Sequence, residues 1–195
     1  MPGKLIFVEG IDGSGKSTLA KALHTHFQPD SVLLRFPSDW PIGKLIRQSF
    51  VDASLDRSTY LYLMVADAID AERHIKKFLA DGATIIADRH TLLSGYVYQQ
   101  EDHHLDAIYD VQQTHEWLKP DSILIVDVPA DVALDRLRGR EKYVDRVFEH
   151  NDHDYYERLR QRYLQFARDS TWPVHIIDGT GTPIDVLNTA LQALD

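Results

Sequence analysis

The first pattern that could do chemistry runs from Gly10 to Thr18 and reads Gly-Ile-Asp-Gly-Ser-Gly-Lys-Ser-Thr. It follows a short apolar run and precedes a helical pattern, which is the context in which Gly-x-x-x-x-Gly-Lys-Ser/Thr forms a phosphate-binding loop. The glycines let the backbone turn its N–H groups toward phosphate oxygens, and the following helix adds its unpaired donors. The residues predicted to bind the donor nucleotide are Gly10, Gly13, Ser14, Gly15, Lys16, Ser17 and Thr18.

Two of these residues, together with a distant carboxylate, suggest phosphoryl chemistry. Lys16 would neutralise the β- and γ-phosphates, and the Ser17 hydroxyl would hold Mg²⁺. Asp88 ends an apolar strand and is predicted as the second Mg²⁺ ligand, directly or through water. The alternative for Asp88 is to cap the next helix or to pair with Arg89. Asp127 ends another strand in the same way, and we interpret it as a structural carboxylate.

Several cations could complete such a site. The planar fork of Arg89 suits a phosphate, and Arg35 at the end of the second strand is the next candidate. Basic residues also cluster in one stretch of this acidic chain, at Arg136, Arg138, Arg140, Lys142 and Arg146. A charge run is usually a solvated face, but a lid over about 139–149 that closes on a triphosphate would need such residues. Three of these arginines are therefore candidate catalytic residues, namely Arg138, Arg140 and Arg146.

The surrounding elements alternate between apolar strands and amphipathic helices. Strands are predicted at 5–8, 32–34, 83–87, 123–127 and 174–177. Helices are predicted at 19–27, 42–50, 58–80, 93–118 with a break near 101–104, 130–138, 155–167 and 184–194. This alternation predicts an α/β fold, with a five-stranded parallel sheet covered by helices on both faces. Ligands should bind outside the carboxyl ends of the strands, where the polar signatures above begin.

Composition limits the remaining possibilities. The 195 residues are 44% hydrophobic, which fits a single domain with a substantial core. No apolar run approaches the roughly 18 residues of a membrane span, and the chain enters its first strand without a signal peptide. Cysteine is absent and the net charge is −9. We therefore expect a cytoplasmic protein that binds neither membranes nor nucleic acid.

Taken together, the motifs resemble those of the thymidylate kinases, a branch of the P-loop nucleoside monophosphate kinases. The resemblance rests on Phe7 to Thr18, on Asp88-Arg89-His90 with Ser94 and Tyr98-Gln99, on Pro120 to Pro129, and on the lid-like Asp145 to Glu149. It covers the chain from the first strand to the last helix.

The resemblance implies a P-loop NTPase sandwich with a small lid that transfers a phosphoryl group from ATP to dTMP, with Mg²⁺, usually as a homodimer. By the same analogy Asp12 would contact the sugar hydroxyl, and Arg89 would hold the monophosphate with Arg35 nearby. Tyr98 would lie against the sugar and Phe36 would line the base pocket. Ser94 and Gln99 are further substrate-binding candidates. Ser14 stands where some members carry an arginine, and in members that lack this arginine the lid supplies the cations.

One departure from the family pattern concerns the base. The family usually has an aromatic residue and, four positions on, a thymine-reading arginine, where this chain has Met64 and Ala68, with Asp67 adjacent. An aspartate facing the site would favour an amino-bearing base. The leading interpretation is dTMP, with thymine read by another residue such as Gln99. Two alternatives are a deoxynucleoside monophosphate kinase of altered base specificity and a deoxynucleoside kinase with Glu9 or Asp12 as base. A non-enzymatic nucleotide-binding module is a third.

Overall fold

The computed structural model describes residues 3–52, 55–98, 110, 113–138 and 152–194. Three predicted site residues, Gln99, Arg140 and Arg146, lie outside the described residues, as does the predicted lid at 139–149.

The described elements follow the predicted alternation of strands and helices. The strands are β1 (Leu5–Glu9), β2 (Ser31–Arg35), β3 (Thr84–Asp88), β4 (Ser122–Asp127) and β5 (Val174–Asp178). The helices are α1 (Lys16–His26), α2 (Pro41–Asp52), α3 (Arg57–Ala80), α4 (Thr91–Tyr98), α5 (Ala130–Arg138), α6 (His153–Asp169) and α7 (Pro183–Leu194).

The strands form one parallel sheet in the order β2-β3-β1-β4-β5. Because side chains alternate along a strand, Leu5 and Phe7 enter the core under α3, α4, α5 and α6, while Ile6 and Val8 enter the core under α1 and α7. This confirms the three-layer α/β architecture. It also places the ends of β2, β3 and β1 side by side, with Arg35 in register with Asp88.

Two helix predictions differ from the structure. The first helix begins at Lys16, directly after the left-handed Gly15, so the phosphate loop runs into it without a spacer. Residues 113–118, which the periodicity assigns to a long helix, are not helical. Glu72 on α3 accepts the Leu118 N–H at 2.7 Å and contacts His115 Nε2 at 3.0 Å, and these bonds hold the non-helical segment against α3.

Within the described part of the chain, no helix is both long enough and apolar enough to cross a membrane.

Candidate active site

The phosphate loop connects β1 to α1 and has the curled backbone that its glycines predict. Gly13 and Gly15 have φ of 85° and 99°, a left-handed conformation that residues with a Cβ rarely adopt. A Cβ on Gly13 would lie 2.3 Å from the Ala133 carbonyl oxygen, so α5 also requires a glycine there. Ser17 and Thr18 are exposed at the start of α1, where its first backbone N–H groups lack partners within the helix. The loop therefore presents donors to an anion.

Lys16 lies at the mouth of this loop. Its side chain is 8% exposed, and its Nζ donates to Asp12 Oδ1 at 3.0 Å and to the Ile11 carbonyl at 3.3 Å. Burial, and then the positive charge of Arg89, lower the pKa of Lys16, while Asp12 raises it. A bound phosphate would supply the further negative charge that this buried ammonium group can use.

Arg136 on α5 contacts the outer side of the same loop. Its guanidinium group donates to the Ser14 carbonyl at 3.0 Å and to the Gly179 carbonyl at 2.9 Å. The sequence grouped this residue with the lid cations, whereas the structure makes it a brace between the phosphate loop and the turn after β5. Arg138, two residues on, is exposed and pairs with Asp135 at 2.7 Å.

A second group of polar residues in the site is centred on Arg89, which follows β3. Arg89 has φ of 79°, and its guanidinium group donates to Asp12 Oδ1. Asp12 thus joins Lys16 to Arg89, so the structure brings together three residues that the sequence placed in one site. The Arg89 guanidinium also lies 5.1 Å from the centroid of the Tyr98 ring, whose buried hydroxyl has no hydrogen-bond partner in the described part of the chain.

Arg35 and Phe36 lie at the neighbouring end of β2. The Arg35 side chain is 57% exposed and its guanidinium group is 3.5 Å from the carboxylate of Asp39. Phe36 is buried and lines a cavity of about 30 Å³ with Ala68 and Thr91. The remaining lining residues are Leu5, Phe7, Glu72, Ile75, His90, Trp117 and Leu118.

Two predicted substrate contacts have protein partners instead. Asp67 is 1% exposed, and its carboxylate accepts the Ser38 N–H at 2.7 Å and the Ser38 hydroxyl at 2.5 Å. Both oxygens of Asp67 therefore fix the turn after Phe36, which argues against a contact between Asp67 and an amino-bearing base. Ser94 on α4 donates its hydroxyl to Glu9 Oε1 at 3.0 Å.

Met64, the other predicted base contact on α3, is partly buried. It packs against the small apolar cluster that α2 and α3 share, formed by Ile46, Phe50 and Tyr60.

Asp88 and Ser17 have the character expected of Mg²⁺ ligands. Asp88 is 8% exposed, and its Oδ1 has no hydrogen-bond partner among the described residues. No group of three His, Asp or Glu side chains in that part of the chain could hold a metal by itself. Mg²⁺ commonly uses one or two carboxylates and completes its shell with water and substrate phosphates, so the single carboxylate of Asp88 is a suitable ligand. Asp127, by contrast, is held by Arg160 at 2.7 and 2.9 Å, which confirms its structural role.

The sequence missed the hydrogen-bonded neighbourhood of Glu9, the last residue of β1. Its carboxylate is fully buried and accepts the His90 N–H at 2.6 Å and the Tyr163 hydroxyl at 2.8 Å. The only available signal was a charged residue at the end of an otherwise apolar strand. Tyr163 lies on α6, too far along the chain for any local pattern to connect the two.

A phosphate loop beside Lys16 and Arg89, at the carboxyl edge of a parallel sheet, defines a P-loop phosphotransferase. The family model for thymidylate kinase matches residues 8–190, and the chain belongs to the thymidylate kinase family.

Individual thymidylate kinases are similar in sequence over nearly the full length of this chain. The chain is 36% identical to a thymidylate kinase of Dinoroseobacter shibae, over 95% of this chain and 93% of that protein. It is 32% identical to a thymidylate kinase of Bordetella pertussis, over 98% and 93% of the two chains. It is 31% identical to a thymidylate kinase of Rhodopirellula baltica, over 96% of this chain and 78% of the relative.

Proposed function

We propose that this protein catalyses the ATP-dependent phosphorylation of dTMP to dTDP. One observation carries the proposal: Asp12 joins Lys16 of the phosphate loop to Arg89 after β3, within hydrogen-bond reach of both. This arrangement sets a cation for the donor phosphates beside a cation for an acceptor phosphate. Family membership supplies ATP and dTMP as the substrates.

The chemistry would be positioning and charge stabilisation by residues that are already in place. The acceptor phosphate of a monophosphate is anionic near neutral pH, so it needs no general base. Arg89 would align it, and Lys16 would neutralise the transferring phosphoryl group. Exposed cations near the loop, including Arg138, would add to this, and we propose that Arg140 and Arg146 do so from the lid at about 139–149.

Mg²⁺ would be held by the Ser17 hydroxyl and the carboxylate of Asp88, directly or through water, and when bound it would neutralise charge on the donor phosphates. The Oδ1 of Asp88, which has no hydrogen-bond partner among the described residues, supports this assignment. For the acceptor we propose Asp12 and Arg35 as polar contacts and Phe36 and Tyr98 as apolar ones. Gln99 stays a candidate for reading thymine.

A deoxynucleoside kinase is the weaker alternative, because its neutral hydroxyl acceptor would require a carboxylate base. Glu9 is unsuited to that role, since its oxygens already accept hydrogen bonds from His90, Ser94 and Tyr163. Asp12 is unsuited as well, because its Oδ1 already accepts hydrogen bonds from both Lys16 and Arg89.

The base specificity is the point on which the sequence departs from its family. Ala68 cannot donate a hydrogen bond, and the space beside it is the small cavity that Phe36 and Thr91 also line. A cavity of about 30 Å³ can hold a water molecule. A water at this point would replace an arginine side chain in reading a thymine carbonyl, which keeps dTMP as the leading substrate.

The test is an ADP-release assay with ATP and Mg²⁺ against dTMP, dUMP, dCMP, dGMP and dAMP, with thymidine as control. We expect turnover of dTMP, weaker turnover of dUMP, and none of thymidine. Turnover of thymidine but not dTMP would replace the proposal with a deoxynucleoside kinase. If the protein binds ATP but phosphorylates none of the six compounds, it is a nucleotide-binding module rather than a kinase.

The same assay on Ala68→Arg examines the base pocket. If water reads the base, the arginine should leave dTMP as the preferred substrate and reduce the turnover of the others. If Ala68 has instead redirected the enzyme to another base, the wild type will prefer that base and Ala68→Arg will shift it toward dTMP.

We also propose a homodimer in the cytoplasm. Tyr62 and Ile69 lie seven residues apart on one face of α3 and are 62% and 38% exposed, and Leu45 on α2 is 53% exposed. Sedimentation of the wild type and of Ile69→Asp would test this surface: a monomeric variant of a dimeric wild type supports it. The cytoplasmic location rests on the cysteine-free composition.

A further inference from the structure

Glu9 is the most completely enclosed carboxylate near the site, with 0% of its surface exposed. Its Oε1 accepts the His90 backbone N–H at 2.6 Å and the Ser94 hydroxyl at 3.0 Å. Its Oε2 accepts the Tyr163 hydroxyl at 2.8 Å and, at a longer 3.4 Å, the N–H of Gly10. One side chain at the end of β1 thus bonds to α4, α6 and the backbone that follows β3.

The bond to His90 matters because of the residue before it. Arg89 is left-handed, with φ of 79°, which is unfavourable for a residue with a Cβ. Such a conformation persists only where the surroundings hold it in place. The Arg89 N–H donates to the Val8 carbonyl at 2.9 Å, and the next N–H, that of His90, donates to Glu9. The two bonds fix the peptide groups on either side of the Arg89 Cα.

The orientation of the Arg89 side chain follows from that backbone. With the left-handed turn in place, its guanidinium group reaches Asp12 and lies 5.1 Å from the Tyr98 ring centroid. In an extended or helical conformation the Cα–Cβ bond would point elsewhere, and the guanidinium group would leave the loop that holds Lys16.

We propose that Glu9 is a positioning residue for the acceptor phosphate: by binding the His90 N–H and the Ser94 and Tyr163 hydroxyls, it holds Arg89 in the left-handed conformation that aims its guanidinium group. Glu9 touches neither nucleotide and transfers no proton. The inference rests on the proposed function, because it assigns the acceptor phosphate to Arg89.

The chemistry of the side chain makes the proposal specific. A glutamine at position 9 retains one oxygen for His90 and Ser94, and its amide can donate to the Tyr163 oxygen. An alanine retains no acceptor and leaves the His90 N–H unbonded. Tyr163→Phe removes one donor and leaves the bond to His90 intact. We therefore expect the order of damage Glu9→Ala, then Tyr163→Phe, then Glu9→Gln.

The experiment measures kcat and KM for dTMP at saturating ATP, and the Kd for ATP separately, in these three variants. Glu9→Ala should raise the KM for dTMP and lower kcat/KM by about 10- to 100-fold, with the Kd for ATP within about threefold of wild type. Glu9→Gln should recover most of this loss. Equal losses for ATP and dTMP, or an unchanged KM for dTMP in Glu9→Ala, would overturn the proposal.

Asp121→Ala is the matched control. Asp121 accepts the backbone N–H of Leu5 at 2.7 Å. The variant therefore removes a carboxylate that binds the first residue of β1, at the opposite end of the strand from Glu9. This variant should lose stability and keep the KM for dTMP. An effect on that KM as large as that of Glu9→Ala would show that any weakening of β1 suffices, and the proposal would fall.

A second readout is independent of turnover: amide hydrogen exchange at His90. Exchange should be slow in wild type and Glu9→Gln and at least about 100-fold faster in Glu9→Ala. If wild type phosphorylates none of the monophosphates, the proposed function fails, and this comparison alone then decides whether Glu9 holds the turn. Should Glu9→Ala not fold, Glu9→Met, which has a similar volume but no acceptor, is compared with Glu9→Gln in the same way, and equal exchange at His90 in both would overturn the inference.

Discussion

The phosphate loop draws its donors from the consecutive residues Gly10 to Thr18, whereas the acceptor side is assembled from separate elements. Arg35 comes from the end of β2, Arg89 directly follows β3, and Asp12 is the one member that the phosphate loop itself supplies. The strand order β2-β3-β1 makes these three ends neighbours. With the roles proposed above, donor recognition is a local property of the backbone, while acceptor recognition depends on the topology of the sheet.

The two sides also differ in what holds them in shape. Glycine conformations and the start of α1 maintain the donor loop, with Arg136 as a brace. The acceptor residues depend on buried carboxylates behind them, Glu9 behind Arg89 and Asp67 behind the turn that follows Phe36. We therefore expect that mutations of residues outside the site can weaken acceptor binding. Donor binding should be weakened mainly by mutations within the loop itself.

The largest effect should come from Lys16→Ala on the donor side. Loss of the buried ammonium group removes the charge that neutralises the transferring phosphoryl group, and kcat should fall by about 10²–10³-fold. The circular dichroism spectrum should be unchanged. Lys21→Ala on the exposed face of α1 serves as control and should be as active as wild type. Near-normal turnover of a well-folded Lys16→Ala would contradict the role assigned to the loop.

On the acceptor side, the variants Arg89→Ala and Arg35→Ala compare the contribution of a largely buried cation with that of an exposed one. The Arg89 side chain is 20% exposed and fixed by Asp12, whereas Arg35 is 57% exposed. We expect kcat/KM for dTMP to fall by about 10²-fold or more for Arg89→Ala and by about tenfold for Arg35→Ala. Both variants should keep the wild-type Kd for ATP. A larger effect at Arg35 would mean that the acceptor phosphate lies nearer β2.

Asp67→Ala should have a smaller effect on the acceptor side, because it acts through the turn after Phe36. It leaves the buried Ser38 N–H without an acceptor, which should lower the free energy of unfolding by about 1–3 kcal/mol. The KM for dTMP should rise by a few-fold while the KM for ATP stays constant. Asp70→Ala on the same helix, where the carboxylate pairs with Arg73, is the control. Equal changes in both KM values would show general destabilisation.

The features that the sequence could predict are the local ones, and those that it could not predict depend on contacts between distant residues. The loop, the strand ends and the layered sheet come from patterns within a few residues, and the structure agrees with them. The partners of Asp67 and Glu9 lie 29 and 81 residues away, at Ser38 and His90, so no local pattern could reveal them. The non-helical path of residues 113–118 could not be predicted either, because it depends on a distant partner, Glu72 in α3.

The last expected effect concerns stability rather than catalysis, and it lies at His90, next to Arg89. The ring is buried between Phe7 and Trp172, at centroid distances of 4.3 and 5.4 Å, and its Nδ1 accepts the Leu93 N–H at 3.2 Å. Burial lowers the pKa of His90 from 6.5 to about 4. The folded protein therefore binds fewer protons than the unfolded chain between these values, and stability is lost as the pH falls from about 6.5 toward 4.

The expected loss between pH 7 and pH 5 is about 2 kcal/mol from this one residue. His90→Asn keeps an acceptor for the first turn of α4 and removes the titrating group. Urea unfolding at the two pH values should show a drop in wild type that is about 2 kcal/mol larger than the drop in the variant. His26→Asn, at an exposed position on α1, should behave as wild type. Parallel pH dependence in wild type and His90→Asn would show that folding leaves the pKa of His90 unchanged, and the effect assigned to its burial would be wrong.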